Sequence, residues 1–117
     1  MANPDKRTSY LKKLVSVARS IVTYQVGIPL GCTRAASLVT ALEPFEKLDF
    51  PVFVQFRNAV LGLPIGTERL HWARDVLRER DTQLEKIIRD FRDRIFDACY
   101  DIVDRYETPS EKPPDVT

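Results

Sequence analysis

One histidine, one tryptophan, one methionine and two cysteines among 117 residues leave little of the material from which catalytic and metal sites are built. Cys32 and Cys99 are too few for a disulfide framework and do not stand at the spacing of a zinc-binding pair. A metal site needs three or four convergent ligands, so neither a metal nor any other cofactor is expected. No Ser-His-Asp order, Walker loop or dinucleotide fingerprint is present, and no enzymatic activity is expected. Apolar runs of about 18 residues, long enough to cross a bilayer, are missing. So is a secretory apolar core with a small-residue cleavage site. These absences point to a soluble, cytoplasmic protein. A strong excess of one charge sign is missing too. The formal net charge of +1 argues against a dedicated binder of nucleic acid or membrane surfaces.

What the chain has instead is one long amphipathic stretch, Thr67 to Tyr106. Apolar residues recur there at Leu70, Ala73, Leu77, Leu84, Ile88, Phe91, Ile95, Cys99, Ile102 and Tyr106. Each step is three or four residues except the one from Leu77 to Leu84, where Asp81 fills the missing position. This rhythm, free of Pro and Gly, predicts a helix capped by Thr67. Opposite-sign pairs at four-residue spacing, such as Glu85–Arg89 and Asp90–Arg94, suit it. A helix of about 40 residues spans roughly 60 Å, more than one small globule. Thr82-Gln83-Leu84-Glu85 reads as a capping box that allows a break near Arg80-Asp81-Thr82. The apolar series crosses that point in phase, which favours a continuous or gently bent helix.

Ahead of this stretch, a first helix is expected from about Thr8 or Ser9 to Gln25, burying Leu11, Leu14, Ala18 and Ile21. Val26-Gly27-Ile28-Pro29-Leu30-Gly31 reads as a break. A second helix follows from about Gly31 or Cys32 to Leu42, with Ala35, Leu38, Val39 and Leu42 inward, closed by Pro44. Asp49 and Pro51 start a third, carrying Val52, Phe53, Phe56, Val60 and Leu61. Strand signals are weak, and Phe50 to Phe56 has no hairpin partner. The expected fold is an all-α helical bundle of four to five helices organised on a long C-terminal helix. Residues 1–107 form a single domain, and 108–117, with three prolines, form a disordered tail.

Four places invite a functional reading. Gly31-Cys32-Thr33-Arg34, at a helix start, offers backbone N–H groups and an arginine to an anion, and a thiol there would have a lowered pKa. The competing reading is a tight turn with a buried Cys and a structural Arg. Both cysteines lie on apolar stripes, which makes them buried, free thiols. Gln25, Arg34 and Asp81 interrupt apolar faces. Such groups need partners, so an Arg34–Asp81 pair completed by Gln25 is expected. Gln25, Cys32, Arg34 and Asp81 are therefore the candidate ligand-binding residues. His71, Trp72 and Val76, off the main stripe, are the candidate interface. Asp90, Asp93, Asp97, Asp101 and Asp104 are interleaved with arginines and read as a solvated face.

Gln25, then Gly31-Cys32-x-Arg34 with Ala35, Leu38 and Val39, resembles a bacterial family of uncharacterised proteins, the domain of unknown function 2489. In that family a Gln precedes a Gly-x-x-Arg helix start. A later Arg-rich helix ends in a Tyr/Phe-Arg and small-residue pattern, matched here by Phe91-Arg92 through Ala98-Cys99. The likeness spans roughly Leu11 to Tyr106. Its members begin with a hydrophobic anchor that has no counterpart here, and it implies no activity. The reading that follows is a small bacterial non-enzymatic protein–protein interaction module, immunity- or inhibitor-like, forming a homodimer through its long helix. Alternatives are an anion- or small-molecule-binding protein using a pocket around Arg34, and a weak nucleic-acid binder. The last draws on residues 1–66, which carry 8 Lys/Arg against 4 Asp/Glu, whereas residues 67–117 carry 10 against 13.

Overall fold

A computed structural model describes residues 4–107, and the expected disordered tail, 108–117, lies outside them. Among the described residues there are four α-helices, one 3-10 turn and no strand: α1 (Pro4–Val22), α2 (Ile28–Leu42), α3 (Pro51–Ala59), the turn Thr67–His71, and α4 (Arg74–Tyr106). The all-α bundle organised on a long C-terminal helix is the observed architecture. α1 packs against both α2 and α4, and α3 bridges α2 to α4, which closes a ring of four helices.

The core follows the apolar spacing. Leu14, Ala18 and Ile21 of α1 meet Cys32, Ala35, Ala36 and Leu42 of α2, Phe53 and Phe56 of α3, and Ile95, Cys99 and Ile102 of α4. Phe56 stands edge-on to Phe91, with centroids 5.6 Å apart. Burying such residues supplies about 1.5–3 kcal/mol per large side chain and holds the helices together.

α3 ends at Ala59, before Val60 and Leu61, and three other helices depart from the expected bounds, each for a local reason. α1 begins at Pro4 and ends at Val22, short of Gln25. Its end is a closed loop: Tyr24 N–H donates to Ile21 O (3.2 Å) and Gln25 N–H to Ser20 O (2.9 Å). That pattern needs a left-handed residue, and Tyr24 supplies it at φ 61° where glycine is usual. α2 begins at Ile28, with Pro29 inside its first turn, where the missing N–H costs nothing. Gly31 is then a buried helix residue, not a breaker. It lies so close to α1 that an added Cβ would stand 2.5 Å from Ile21 Cγ1.

The third difference concerns the long helix. α4 runs unbroken across Asp81, and its 33 residues make it about 50 Å long by rise, close to the molecule's longest extent of 49 Å. The interruption lies earlier, at Trp72-Ala73, both extended at ψ 144°. Thr67 therefore opens a 3-10 turn and not α4. Glu68 tightens that turn by accepting the Ile65 N–H (3.0 Å).

Candidate interaction surfaces

α4 outruns the helices that cover it. Every fully buried residue of α4 lies in its second half, at Ile95, Cys99 and Ile102. Leu84, Ile87, Ile88 and Phe91 still pack against the core as half-buried residues, but Val76 and Leu77 do not join it. The first ten residues of α4, about 15 Å of helix, thus lie outside the core, with Val76 and Leu77 only half-buried. Leu61 (80% exposed) and Leu70 (84%) lie on the connection that leads into it, and the half-buried Trp72 borders it. Of the expected interface residues, Trp72 and Val76 are half-buried and outside the core, and His71 is exposed. A groove of about 610 Å³ runs alongside, between the α3 exit at Leu61–Leu63 and the side of α4 at Arg80, Gln83 and Ile87.

Asp81 does not meet Arg34. Its carboxylate takes two hydrogen bonds from Arg69, Nη1 to Oδ1 at 2.6 Å and Nη2 to Oδ2 at 2.9 Å. In one straight helix, residues twelve apart would be separated by roughly 18 Å. The kink at Trp72-Ala73 turns the 3-10 segment back along α4 and makes the contact possible. Arg69 Nη1 also reaches the Pro64 carbonyl at 3.2 Å, so this one guanidinium fastens the α3–α4 connection to α4. The bonded Arg69 holds the Asp81 carboxyl below its ordinary range. Backbone N–H groups of Glu68 itself, Ile65 and Gly66 do the same for Glu68. Both ion-pair partners are more than a third exposed, so this is a surface clamp rather than a buried charge pair.

The other expected ligand residues are dispersed. Cys32 is in the core, and burial, with Cys99 nearby, pushes its thiol up to about 12. The lowered pKa expected at a helix start does not arise because α2 begins earlier. Gly31 N–H already donates to Gly27 O at 2.9 Å, which leaves Cys32 inside the helix. Cys99 is likewise free, buried and raised to about 12 by burial. Gln25 is exposed beside Arg19 and Lys12. Arg34 is exposed on the outer side of α2, on a groove of about 440 Å³ shared with Lys13, Ser16, Val17, Thr33 and Leu38. Among the described residues these four are dispersed: Gln25 and Arg34 border different grooves, Cys32 is in the core, and Asp81 is held by Arg69.

The outward face of α4 holds a feature that residue order conceals. Arg92 turns aside to Tyr24, donating to its hydroxyl at 2.8 Å and lying 5.8 Å and 5.4 Å from the Tyr24 and Phe96 ring centroids. Arg94 lies over Phe91 at 4.4 Å, and Arg105 over Phe50 at 5.8 Å while bonding Asp101. Among the described residues Asp90, Asp93, Asp97 and Asp104 are left without an ion pair. The role of Tyr24 had no sequence signal, since a tyrosine rarely takes a left-handed backbone. For Arg69 the signal was only its place in a charged stretch.

No helix of the described residues is long and apolar enough to cross a membrane. No family model matches the chain, and no solved structure matches it. Among curated proteins the chain is similar to the RNA1 polyprotein of Cherry rasp leaf virus (isolate Potato/United States), 34% identical over 77 residues. The match takes in 62% of this chain and 3% of the polyprotein, so the chain spans only a small part of that relative's length.

Proposed function

We propose that this protein is a non-enzymatic protein–protein interaction module, and that its contact surface is the overhanging start of α4. One observation carries the reading: N-terminal of Leu84, the apolar residues Leu77, Val76 and Trp72 stand outside the core of the bundle and are only half-buried. Tryptophan is among the residues most enriched at binding hot spots. Similarity to a short stretch of a far larger polyprotein supports a module that works beside other domains.

The occupant we assign is a second copy, making a homodimer through the long helix. Two-fold pairing is the commonest way to bury a leftover stripe, because each copy covers the other's. Static light scattering at micromolar concentration tests it. The expected mass is twice the 13.5 kDa of one chain, with V76D returning it to one chain and leaving the helical circular dichroism intact. A one-chain mass for the unaltered protein refutes the dimer. A dimer that V76D leaves intact refutes this surface.

A further inference from the structure

Two faces away from that stripe carry charges that the fold leaves unneutralised. Residues 4–42 hold six Lys/Arg against a single acid, Asp5. Arg7 and Arg19 are engaged by Glu46 and Glu107. Lys13 and Arg34 enter no ion pair among the described residues, although Lys13 Nζ stands 6.0 Å from the Tyr10 ring centroid, and they border the groove between α1 and α2. Half-buried Val17 and Leu38 line it. Two of its hydroxyls are not spare donors: Thr33 Oγ1 donates to Pro29 O (2.9 Å) and Ser37 Oγ to Thr33 O (3.1 Å). What the groove offers is two cations flanking an apolar trough. None of these lining residues is aromatic, and the nearby Tyr10 ring is half-buried under Lys13, which does not suit the stacking of nucleic-acid bases.

The complement lies on the same chain. Tyr100 is 54% exposed on the outward face of α4, with Asp97 three residues before it and Asp104 four after. Both carboxylates are exposed and unpaired among the described residues: Arg94, three residues before Asp97, lies over Phe91, and Arg105, beside Asp104, bonds Asp101 and lies over Phe50. Seven residues of helix set the two carboxylates roughly 10 Å apart. Packed helices stand about 8–10 Å apart, so a ridge laid across the groove brings one carboxylate to each rim.

We propose that the α1–α2 groove receives the Asp97–Tyr100–Asp104 ridge of a second copy. Tyr100 sits on Val17 and Leu38, and the two carboxylates meet Lys13 and Arg34. Groove and ridge are different surfaces, so the contact is head-to-tail and leaves a groove open at one end of the assembly and a ridge at the other. It adds to the apolar pairing at the start of α4 and does not depend on it.

The test is sedimentation velocity of the full chain, K13E/R34E and D97K/D104K, each first shown to keep its helical spectrum. At about 0.1 M salt the average mass of the unaltered chain should climb with concentration. Near 1 M, where screening acts within about 3 Å, the association should weaken roughly tenfold or more. Each double variant should lack this salt-sensitive step, because its groove and ridge carry the same sign. An equimolar mixture of the two should recover it, since each reversed surface then meets a complement. A salt-independent mass for the unaltered chain, or no recovery on mixing, overturns the proposal. So does retention of single-stranded RNA that K13E/R34E abolishes while assembly persists, which would assign the groove to nucleic acid. A dimer that survives high salt reports on the Val76 surface alone, so either contact can fail without the other.

Discussion

Gly31→Ala should destabilise this protein, although alanine is the best helix former and Gly31 lies within α2. In an open helix the exchange gains about 0.8–1.0 kcal/mol. Here the new Cβ would stand 2.5 Å from Ile21 Cγ1, 2.8 Å from its Cδ1 and 3.2 Å from Val26 Cγ1. Ile21 is 1% exposed and has no open side to turn towards, so α1 and α2 must part or a rotamer must strain. Such overpacking costs about 1–3 kcal/mol. At the upper part of that range the net loss is about 1–2 kcal/mol, several degrees in Tm for a domain of this size. Urea unfolding followed by circular dichroism measures it, and a double-mutant cycle with I21A separates the causes. I21A alone costs about 2–5 kcal/mol by leaving a cavity. It also removes the two closest atoms, so Gly31→Ala should become neutral or stabilising in that background, a coupling of about 1–3 kcal/mol. Equal effects in both backgrounds, or a gain in the parent, would refute the close contact of α1 and α2 at this glycine.

Two further outcomes are expected. Cys32 and Cys99, with thiols pushed up to about 12, should carry a thiolate fraction of roughly 10⁻⁴ at pH 8 and stay unlabelled by a thiol reagent until the protein unfolds. Fast native labelling of either would contradict their burial. The 3-10 turn should come free in acid. Asp81 and Glu68 are both held below their ordinary values, so their stabilisation is complete above that range and is lost as pH falls through the depressed values. Trp72, the sole tryptophan, adjoins the turn, and its emission should change below about pH 4 before the far-ultraviolet helical signal does. The Asp81→Asn change should shrink that step, and an unaltered step would place its origin elsewhere.

What could be read in the sequence was periodicity. The three-four spacing from Leu84 to Ile102 marked the side of α4 that faces the bundle, and Leu11, Leu14, Ala18 and Ile21 did so for α1. Both thiols were legible as buried for the same reason. Pro29 and Gly31 mislead because each has two meanings. A proline fits a helix's first turn as well as a break, and a glycine marks close helix contact as well as a helix end. Which applies depends on Ile21 of another helix, and no local pattern encodes that. The partner of Asp81 failed similarly. Asp81 interrupts an apolar series, which suggests burial, yet that turn of α4 lies beyond the covering helices. Periodicity says which face is apolar and nothing about whether another element reaches it.

The charge on α4 shows the same limit and explains why its outer face is acidic. By sequence, α4 is nearly neutral, with eight Lys/Arg against nine Asp/Glu. Alternating signs at helical spacing suggest pairs that cancel on the surface. Side-chain length breaks that symmetry. Arginine has a long apolar stem and a planar head, and both gain by lying along a nearby ring. Arg92, Arg94 and Arg105 reach Tyr24 and Phe96, Phe91 and Phe50 in this way. Aspartate has one methylene and cannot follow, so Asp97 and Asp104 stay where their helix positions put them, pointing to solvent. Rings along the flanks of α4 thus draw Arg92, Arg94 and Arg105 aside from the carboxylates of its C-terminal half, leaving Asp97 and Asp104 on the outer face. Replacing Phe91 by leucine removes the ring under Arg94 without altering the formal charge. It should release Arg94 towards Asp90 and Asp97, which stand four residues before and three after it, and weaken the salt-sensitive association. Unchanged association in F91L, with Arg94 shown by NMR to have left the flank, would refute the link between that ring and the acidic ridge.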